Sequence, residues 1–235
     1  MENMDEILGI GLSPGDHHYR AYVGPPERYD IIAAMTFNLL TTIGLRQHHR
    51  LLDIGCGSLR VGRLLIPYLN VGNYYGLEPN KWLVEQGIEF ETGDDLIAIK
   101  KPKFFFNDEF KIEPTQEKFD FMVAQSVFSH ASLRQIDQCL VSLSSKILKH
   151  GALLATFLIG QQDYKGDAWF YPGCATYKVE TIKLLAEKNN LRFMLLDWLH
   201  PHEQSWAIFY KSGFDLQWFE GKQLSWNLKV RSGRI

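Results

Sequence analysis

Residues 51–58 read Leu-Leu-Asp-Ile-Gly-Cys-Gly-Ser, and this stretch decides the fold. Its apolar residues predict a buried strand at residues 50–54, and a helix is expected at residues 59–68. Glycines between a strand and a helix permit a tight turn and let a ligand approach the backbone, where a Cβ atom would obstruct it. Because ligands of open α/β sheets bind beyond the carboxyl ends of the strands, Gly55 and Gly57 mark a candidate site.

Two classes of ligand compete for this turn. A nicotinamide dinucleotide fingerprint requires G-x-G-x-x-G, but Arg60 stands at the third glycine position and Gly62 comes two residues late. Asp53, ahead of the first glycine, would repel a pyrophosphate, whereas it suits a ligand that carries an ammonium or sulfonium charge. The pattern favours the cationic ligand and keeps a nicotinamide-dependent oxidoreductase as the alternative.

Polar residues also follow the next three predicted strands. The strand at residues 74–78 ends in Glu78, about 20 residues after the glycines, and a carboxylate at that spacing can accept both hydroxyls of a ribose. The strand at residues 103–107 ends in Asn107 and Asp108, which can take an adenine amino group. The strand at residues 119–125 delivers Gln125, Ser126 and, shortly after, His130 to the same crevice.

The order of the remaining elements predicts an α/β fold. Helices are expected at residues 28–45, 81–90, 133–148 and 178–189, and a further strand is expected at residues 152–158. No helix fits between the last two strands, at residues 191–199 and 205–211, so this pair should be antiparallel. The sequence therefore predicts an open, mostly parallel sheet with helices on both faces and an antiparallel C-terminal hairpin.

Composition excludes several classes of protein. The chain has 235 residues with 25 Lys+Arg against 27 Asp+Glu, and a net charge of −2 gives no sign of nucleic acid as a partner. The longest apolar run, residues 152–159, is far shorter than the roughly 20 residues of a membrane span. Three dispersed cysteines and an acidic N-terminus favour a cytoplasmic protein. The paired histidines lack metal-ligand spacing, so no metal is expected.

Taken together, these motifs resemble those of class I S-adenosylmethionine-dependent methyltransferases of the type that acts on small molecules and sugars. The matching pieces lie in residues 50–211. The resemblance implies a Rossmann-like, open twisted sheet of seven strands, with the last strand inserted antiparallel, and S-adenosyl-L-methionine as the cofactor. It also implies that the glycine loop holds the methionine end, the second-strand acid the ribose, and the third-strand corner the adenine. The residues expected to bind the cofactor are Tyr19, Arg20, Tyr22, Asp53, Gly55, Gly57, Glu78, Pro79, Asn107, Asp108, Gln125 and Ser126.

We expect one domain, residues 1–235. Residues 1–49 would form a helical cap over the cofactor, residues 50–211 the core, and residues 212–235 an extension that offers a contact for a homo-oligomer. Leading segments of this family often fold over the cofactor, and Arg20 is a candidate because a guanidinium pairs well with the methionine carboxylate. A surface loop packed by Tyr19 and Tyr22 is the alternative.

The acceptor side of the expected site depends on four residues. His130 suits the removal of a hydroxyl proton, since neutral imidazole is a base at neutral pH, but it can also pack beside a helix or contact the substrate. Trp169 and Tyr171 follow the fifth strand, where they form either a lid or a stacking surface for the acceptor. Arg60 can contact the cofactor or the substrate.

The sequence thus predicts an enzyme that transfers a methyl group from S-adenosylmethionine to a small polar acceptor, such as a hydroxyl of a sugar or natural product. Two alternatives stay open. One is the nicotinamide-dependent oxidoreductase, and the other is a non-catalytic protein of the same fold that binds the cofactor or a partner.

Overall fold

The computed structural model describes residues 4–113 and 115–216. The strands are β1 (Leu51–Ile54), β2 (Tyr74–Leu77), β3 (Lys103–Phe105), β4 (Phe119–Ala124), β5 (Ile147–Ile159), β6 (Thr176–Tyr177), β7 (Arg192–Leu196) and β8 (Ser205–Tyr210). The helices are α1 (Met4–Ile7), α2 (Tyr29–Thr42), α3 (Gly62–Tyr68), α4 (Lys81–Gly87), α5 (Asp94–Lys100), α6 (Leu133–Leu143) and α7 (Val179–Lys188).

The sheet confirms the predicted architecture. Seven strands follow the order β3-β2-β1-β4-β5-β8-β7, with β1 to β5 parallel and β8 antiparallel to both of its neighbours. An eighth strand, β6, was not predicted and pairs with the end of β5 through Leu158 and Thr176. The α/β class, the seven-stranded path and the closing antiparallel hairpin are therefore as expected.

Helices cover both faces of this sheet because alternate side chains of its strands point to opposite sides. Leu51 of β1 and Val123 of β4 belong to a core cluster that includes side chains of α2 and α3. Their neighbours Leu52 and Met122 belong to a second cluster with side chains of α6 and α7. Because helices cover both faces of the sheet, all four residues of β1 are buried.

Besides the helix expected at residues 28–45, which ends at Thr42, three helix boundaries differ from the prediction. The helix expected at residues 133–148 ends at Leu143, and β5 begins at Ile147, which pairs with Phe119. The helix expected at residues 81–90 is α-helical to Gly87 and continues as a π-helix over Ile88–Thr92, and α5 was not predicted at all. The amphipathic pattern of residues 133–148 extends past the α-helix because Ile147 pairs in the sheet.

The third difference concerns the glycine turn. Helix α3 begins at Gly62 rather than at residue 59, because the turn continues through Leu59, whose φ is +61°. Arg60 was expected within this helix and instead lies in the turn before it. Its side chain therefore leaves the backbone directly beside the carboxyl end of β1.

The prediction about the C-terminal end of the chain stays open. Part of the extension expected at residues 212–235 lies outside the described residues, which end at 216, so the expected oligomer contact stays a prediction. Among the helices of the described ranges, none has both the length and the apolar character needed to cross a membrane.

Gly87 lets α4 pack directly against the glycine turn. A Cβ built on Gly87 would lie 2.4 Å from the carbonyl oxygen of Ser58, which is backbone and cannot rotate away. We expect Gly87→Ala to lower the free energy of unfolding by about 1–3 kcal/mol in urea denaturation, although alanine favours a helix by about 1 kcal/mol. The matched control is Gln86→Ala in the same helix, which should change it by less than about 0.5 kcal/mol. Equal effects of the two substitutions would contradict the close approach.

Candidate functional site

A cavity of about 370 Å³ lies at the carboxyl ends of β1, β2 and β4. Parallel strands end at one edge of the sheet, so side chains distant in sequence meet there. Of the residues predicted for the site, those that line the cavity are Tyr22, Gly55, Gly57, Arg60, Glu78, Pro79, Asn107, Asp108, Gln125, Ser126, His130, Trp169 and Tyr171. Three predicted residues, Tyr19, Arg20 and Asp53, are not part of its lining.

The glycine turn approaches its neighbours too closely for any other residue. Gly55 has φ +66° and Gly57 has φ +53°, both in the left-handed region that favours glycine. A Cβ on Gly55 would lie 2.7 Å from Val127 Cγ2, and one on Gly57 would lie 2.8 Å from Val23 Cγ1. The turn can therefore expose its backbone to the cavity while side chains pack against it on the other sides.

Glu78 ties this turn to the end of β2. The main-chain N–H of Gly57 donates to Glu78 Oε2 at 3.0 Å, while Asn80 donates to Oε1 from its main chain at 2.9 Å and from its side chain at 3.1 Å. Burial raises the pKa of Glu78, and these hydrogen bonds oppose that rise. A carboxylate has about four acceptor positions, so capacity remains for a ligand hydroxyl.

Asp53 lies behind the turn rather than in the cavity. Its carboxylate is 3% exposed and accepts a hydrogen bond from the Tyr74 hydroxyl at 2.8 Å. Burial raises the pKa of Asp53 to about 7, against the opposing effects of Tyr74 and of the charge on Arg60. The residue supports the turn from within the core, so direct contact with a ligand stays a prediction.

Arg60 brings a buried positive charge to the cavity. The residue is 7% exposed, and its guanidinium donates from Nη1 to the Val23 carbonyl at 2.8 Å and from Nη2 to Gln125 Oε1. Both acceptors are neutral, and no carboxylate of residues 4–113 and 115–216 forms an ion pair with Arg60. Asp53 interacts with this charge only at a distance, without an ion pair. A buried charge without an ion pair is costly, which makes Arg60 a site for an anionic group.

Arg20 is already neutralised. Its guanidinium contacts Glu91 Oε1 at 2.6 Å from Nη2 and lies 4.5 Å from the centre of the Tyr29 ring. The Tyr19 hydroxyl donates to the same carboxylate at 3.1 Å. The structure thus places both residues in a cluster beside the cavity, not in it, and this arrangement does not support the predicted pairing of Arg20 with a ligand carboxylate.

His130 faces the cavity with one ring nitrogen engaged. Nδ1 lies 2.7 Å from the Gly173 carbonyl, which only accepts, so Nδ1 carries the proton and Nε2 has the lone pair. Burial lowers the pKa of His130, and the hydrogen bond to Gly173 opposes this effect. A neutral imidazole with an acceptor nitrogen at the cavity can take a proton from a ligand.

The segment 169–175 packs over His130. The Tyr171 ring meets the imidazole edge-on at 4.9 Å, and the Tyr171 hydroxyl donates to the Tyr22 carbonyl at 2.5 Å. Trp169 is 47% exposed at the rim and lies 5.8 Å from the imidazole, measured between ring centres. These contacts join the segment after β5 to the N-terminal segment across the cavity.

Sequence reasoning missed some lining residues. The unpredicted ones are Val23, Ile54, Leu77, Asn80, Leu83, Phe110, Val127 and Gln135. Asn80 could have been predicted from the sequence, because it follows Glu78 by two residues, where a side chain can hydrogen-bond to the strand-end carboxylate. Gln135 could not, because its place in the capping box of α6 already explains why a glutamine stands there.

The comparisons with known proteins give one family. Residues 52–154 match the family model described as "Methyltransferase domain". The chain is similar to a magnesium protoporphyrin IX methyltransferase from Synechocystis PCC 6803 with bound S-adenosylmethionine, with a TM-score of 0.60, 14% identity and coverage of 88% of this chain and 89% of that one. It is also similar to DesVI of Streptomyces venezuelae, with a TM-score of 0.59, 12% identity and coverage of 79% of this chain and 94% of that one. A third similar structure is a putative O-methyltransferase from Nostoc punctiforme PCC 73102, with a TM-score of 0.59, 13% identity and coverage of 79% of this chain and 57% of that one. These structural likenesses show a shared fold.

The raised pKa of Asp53 gives a pH-dependent stability. The folded protein keeps this proton up to about pH 7, whereas an unfolded Asp loses it near pH 4, so unfolding releases a proton in between and stability falls as pH rises. Asp53→Asn removes this penalty. We expect the free energy of unfolding of the variant minus that of the wild type to increase from pH 4 to 7, by at most about 1.4 kcal/mol per pH unit, and to level off above. Urea denaturation across this range tests it, and a constant difference would contradict it.

Proposed function

We propose that the chain, in which residues 52–154 match a methyltransferase domain, is a class I S-adenosylmethionine-dependent methyltransferase that methylates a hydroxyl of a small polar acceptor, such as a sugar or another natural product. The observation that carries the proposal is His130, whose Nδ1 is held by the Gly173 carbonyl while Nε2 keeps its lone pair beside the cavity. An alcohol needs its proton removed as it is methylated, and this nitrogen can accept it.

The residues of the cavity fit S-adenosylmethionine. The turn at Gly55 and Gly57 offers a cradle that a Cβ would fill, and the unpaired charge of Arg60 suits the methionine carboxylate. We assign that carboxylate to Arg60 rather than to Arg20, because Glu91 already pairs with Arg20. Of the roughly four acceptor positions of Glu78, three are used by Gly57 and Asn80, and the one that remains on Oε2 would accept a ribose hydroxyl.

The adenine would lie beyond Glu78, at the residues that follow β3. Asn107 and Asp108 line this part of the cavity together with Leu83 and Phe110. The two apolar side chains suit the faces of a flat ring, and the two polar ones suit its amino group. Pro79, Ser126 and Tyr22 also line the cavity, so each is within the region that the cofactor would occupy.

The bound cofactor supplies an electrophilic methyl group on a positively charged sulfur. His130 Nε2 would take the hydroxyl proton of the acceptor during methyl transfer. Tyr171 holds the imidazole at its edge, and together with Trp169 it covers the acceptor side of the cavity. Much of the rate would come from alignment of the hydroxyl oxygen, the methyl carbon and the sulfur.

Four observations support a small hydroxyl acceptor. The cavity measures about 370 Å³, and the cofactor would occupy part of it. The net charge of −2 provides no field for a nucleic acid. His130 is held neutral by burial, which suits an alcohol, and one of the similar structures is described as a putative O-methyltransferase. A nicotinamide dinucleotide fits less well, because Arg60 occupies the place of the third glycine.

Arg60 and Glu78 make separable contributions to ligand binding. S-adenosylhomocysteine and 5′-methylthioadenosine share the adenine and ribose, but only the former has the amino acid carboxylate. We expect Arg60→Ala to weaken S-adenosylhomocysteine by at least about tenfold and to leave 5′-methylthioadenosine unchanged, as for loss of a charge-assisted hydrogen bond. Glu78→Ala should weaken both ligands at least about tenfold. Calorimetric titration of both variants measures this, and an Arg60→Ala variant that weakens both ligands equally would refute the carboxylate assignment.

Methyl transfer tests the function itself. The wild type, given S-adenosylmethionine and a panel of sugars, phenols and amines, should form S-adenosylhomocysteine with a hydroxylated acceptor. In single turnover, His130→Ala should be slower by about 100-fold or more, the usual contribution of general base catalysis. The wild-type rate should fall as pH drops through a pKa below 6.5, because protonated imidazole accepts no proton.

The controls separate binding from catalysis. His130→Ala should bind S-adenosylhomocysteine as the wild type does, since its role is on the acceptor side. A rate close to that of the wild type would remove the base assignment. A wild type that binds S-adenosylhomocysteine but methylates nothing in the panel would instead favour a non-catalytic binding protein.

A further inference from the structure

The turn between β7 and β8, residues 197–204, contacts two residues that line the cavity, Gln125 and Ser126. Strand β8 runs antiparallel to β5, with Ser205 opposite Phe157 near the carboxyl end of β5. The start of β8 therefore lies at the same edge of the sheet as the ends of the parallel strands. This turn contains His200-Pro201-His202, and none of its residues has a role in the function proposed above.

Gln204, the last residue of this turn, holds Ser126. Its side-chain amide donates to Ser126 Oγ at 2.9 Å, and the Gln204 carbonyl oxygen lies 3.3 Å from the same hydroxyl. Gln204 is only 8% exposed. The main-chain N–H of Ser126 donates to Thr156 Oγ1 at 2.7 Å, and its φ is +59°. Thr156 of β5 thus holds the backbone of Ser126, and Gln204 holds its hydroxyl.

Ser126 in turn orients the amide of Gln125. The Gln125 nitrogen Nε2 donates to Ser126 Oγ at 2.6 Å, which leaves the oxygen Oε1 to accept from Arg60 Nη2. His200 Nε2 lies 3.1 Å from the same amide nitrogen. The main-chain N–H of His202 lies 3.1 Å from the other ring nitrogen of His200, Nδ1. Because a neutral imidazole accepts at one nitrogen only, His200 can accept a hydrogen bond from His202 or from Gln125, but not from both.

We propose that Gln204 is a positioning residue for the guanidinium of Arg60, acting through Ser126 and Gln125. The chain of hydrogen bonds fixes which end of the Gln125 amide faces Arg60. This inference rests on the proposed function, since it takes Arg60 as the partner of the methionine carboxylate.

The orientation of the Gln125 amide matters because Arg60 has hydrogen-bond donors and no acceptor. Arg60 can only donate, so it needs the oxygen of Gln125 and not its nitrogen. With Gln204 removed, Ser126 Oγ loses a partner and its hydroxyl can turn toward the vacated space. The Gln125 amide then loses the constraint that keeps its nitrogen away from Arg60. The guanidinium, buried among neutral acceptors, would lose one of its two anchors.

The test uses Gln204→Met, which keeps the length of the side chain and removes its hydrogen bonds. We expect the affinity for S-adenosylhomocysteine to fall about fivefold, as for one neutral hydrogen bond, and that for 5′-methylthioadenosine to stay unchanged. A merely structural role would weaken both ligands together. The control, Glu203→Gln, changes the exposed neighbour in the same turn and should affect neither. Ser126→Ala breaks the same link from the other side and should reproduce the selective loss if Gln204→Met does not fold.

A double-mutant cycle completes the experiment. In an Arg60→Ala background, Gln204→Met should have no further effect on S-adenosylhomocysteine, because the group that it positions is gone. An additive effect, or unchanged affinity in both Gln204→Met and Ser126→Ala, would overturn the inference while the proposed function stands. A wild type that binds neither ligand would overturn the proposed function and this inference with it.

Discussion

The hydrogen bond from the main chain of Gly57 to Glu78 is the contact on which the site depends. It joins the ends of two neighbouring parallel strands at 3.0 Å and brings a buried carboxylate against a turn that has no room for a Cβ. Gly87 of α4 packs against the same turn from its outer side. The cavity therefore has a floor made of backbone, and the charged groups around it stand at distances that the sheet determines.

Charge in this region is divided between two arginines with different roles. Arg20 forms an ion pair with Glu91 and contributes to the packing of the N-terminal segment, so its charge is satisfied without a ligand. Arg60 is equally buried but has only neutral acceptors. A buried guanidinium without an ion pair destabilises the protein when the site is empty. A ligand that supplies an anion removes this cost on binding, which raises its affinity.

His130 and His200 also differ in role because their surroundings differ. Burial lowers the pKa of both His130 and His200, the latter to about 3, and both are neutral at physiological pH. His130 has its Nδ1 proton on a carbonyl and its lone pair toward the cavity, which suits proton transfer. His200 lies against the amide of Gln125 and suits a structural role there.

The sequence by itself determined the order of the strands and the residues at their ends. Glycines after β1, an acid after β2 and a histidine after β4 converge because parallel strands end at one edge, and that follows from order alone. Only the tertiary structure decided which arginine is free, since the partner of Arg20 is 71 residues away. It also placed Gln204 against Ser126 at the cavity, because β8 runs antiparallel to β5 and therefore begins at the edge where the parallel strands end. Local patterns encode strands and turns, whereas the partners of buried charges depend on contacts between distant segments.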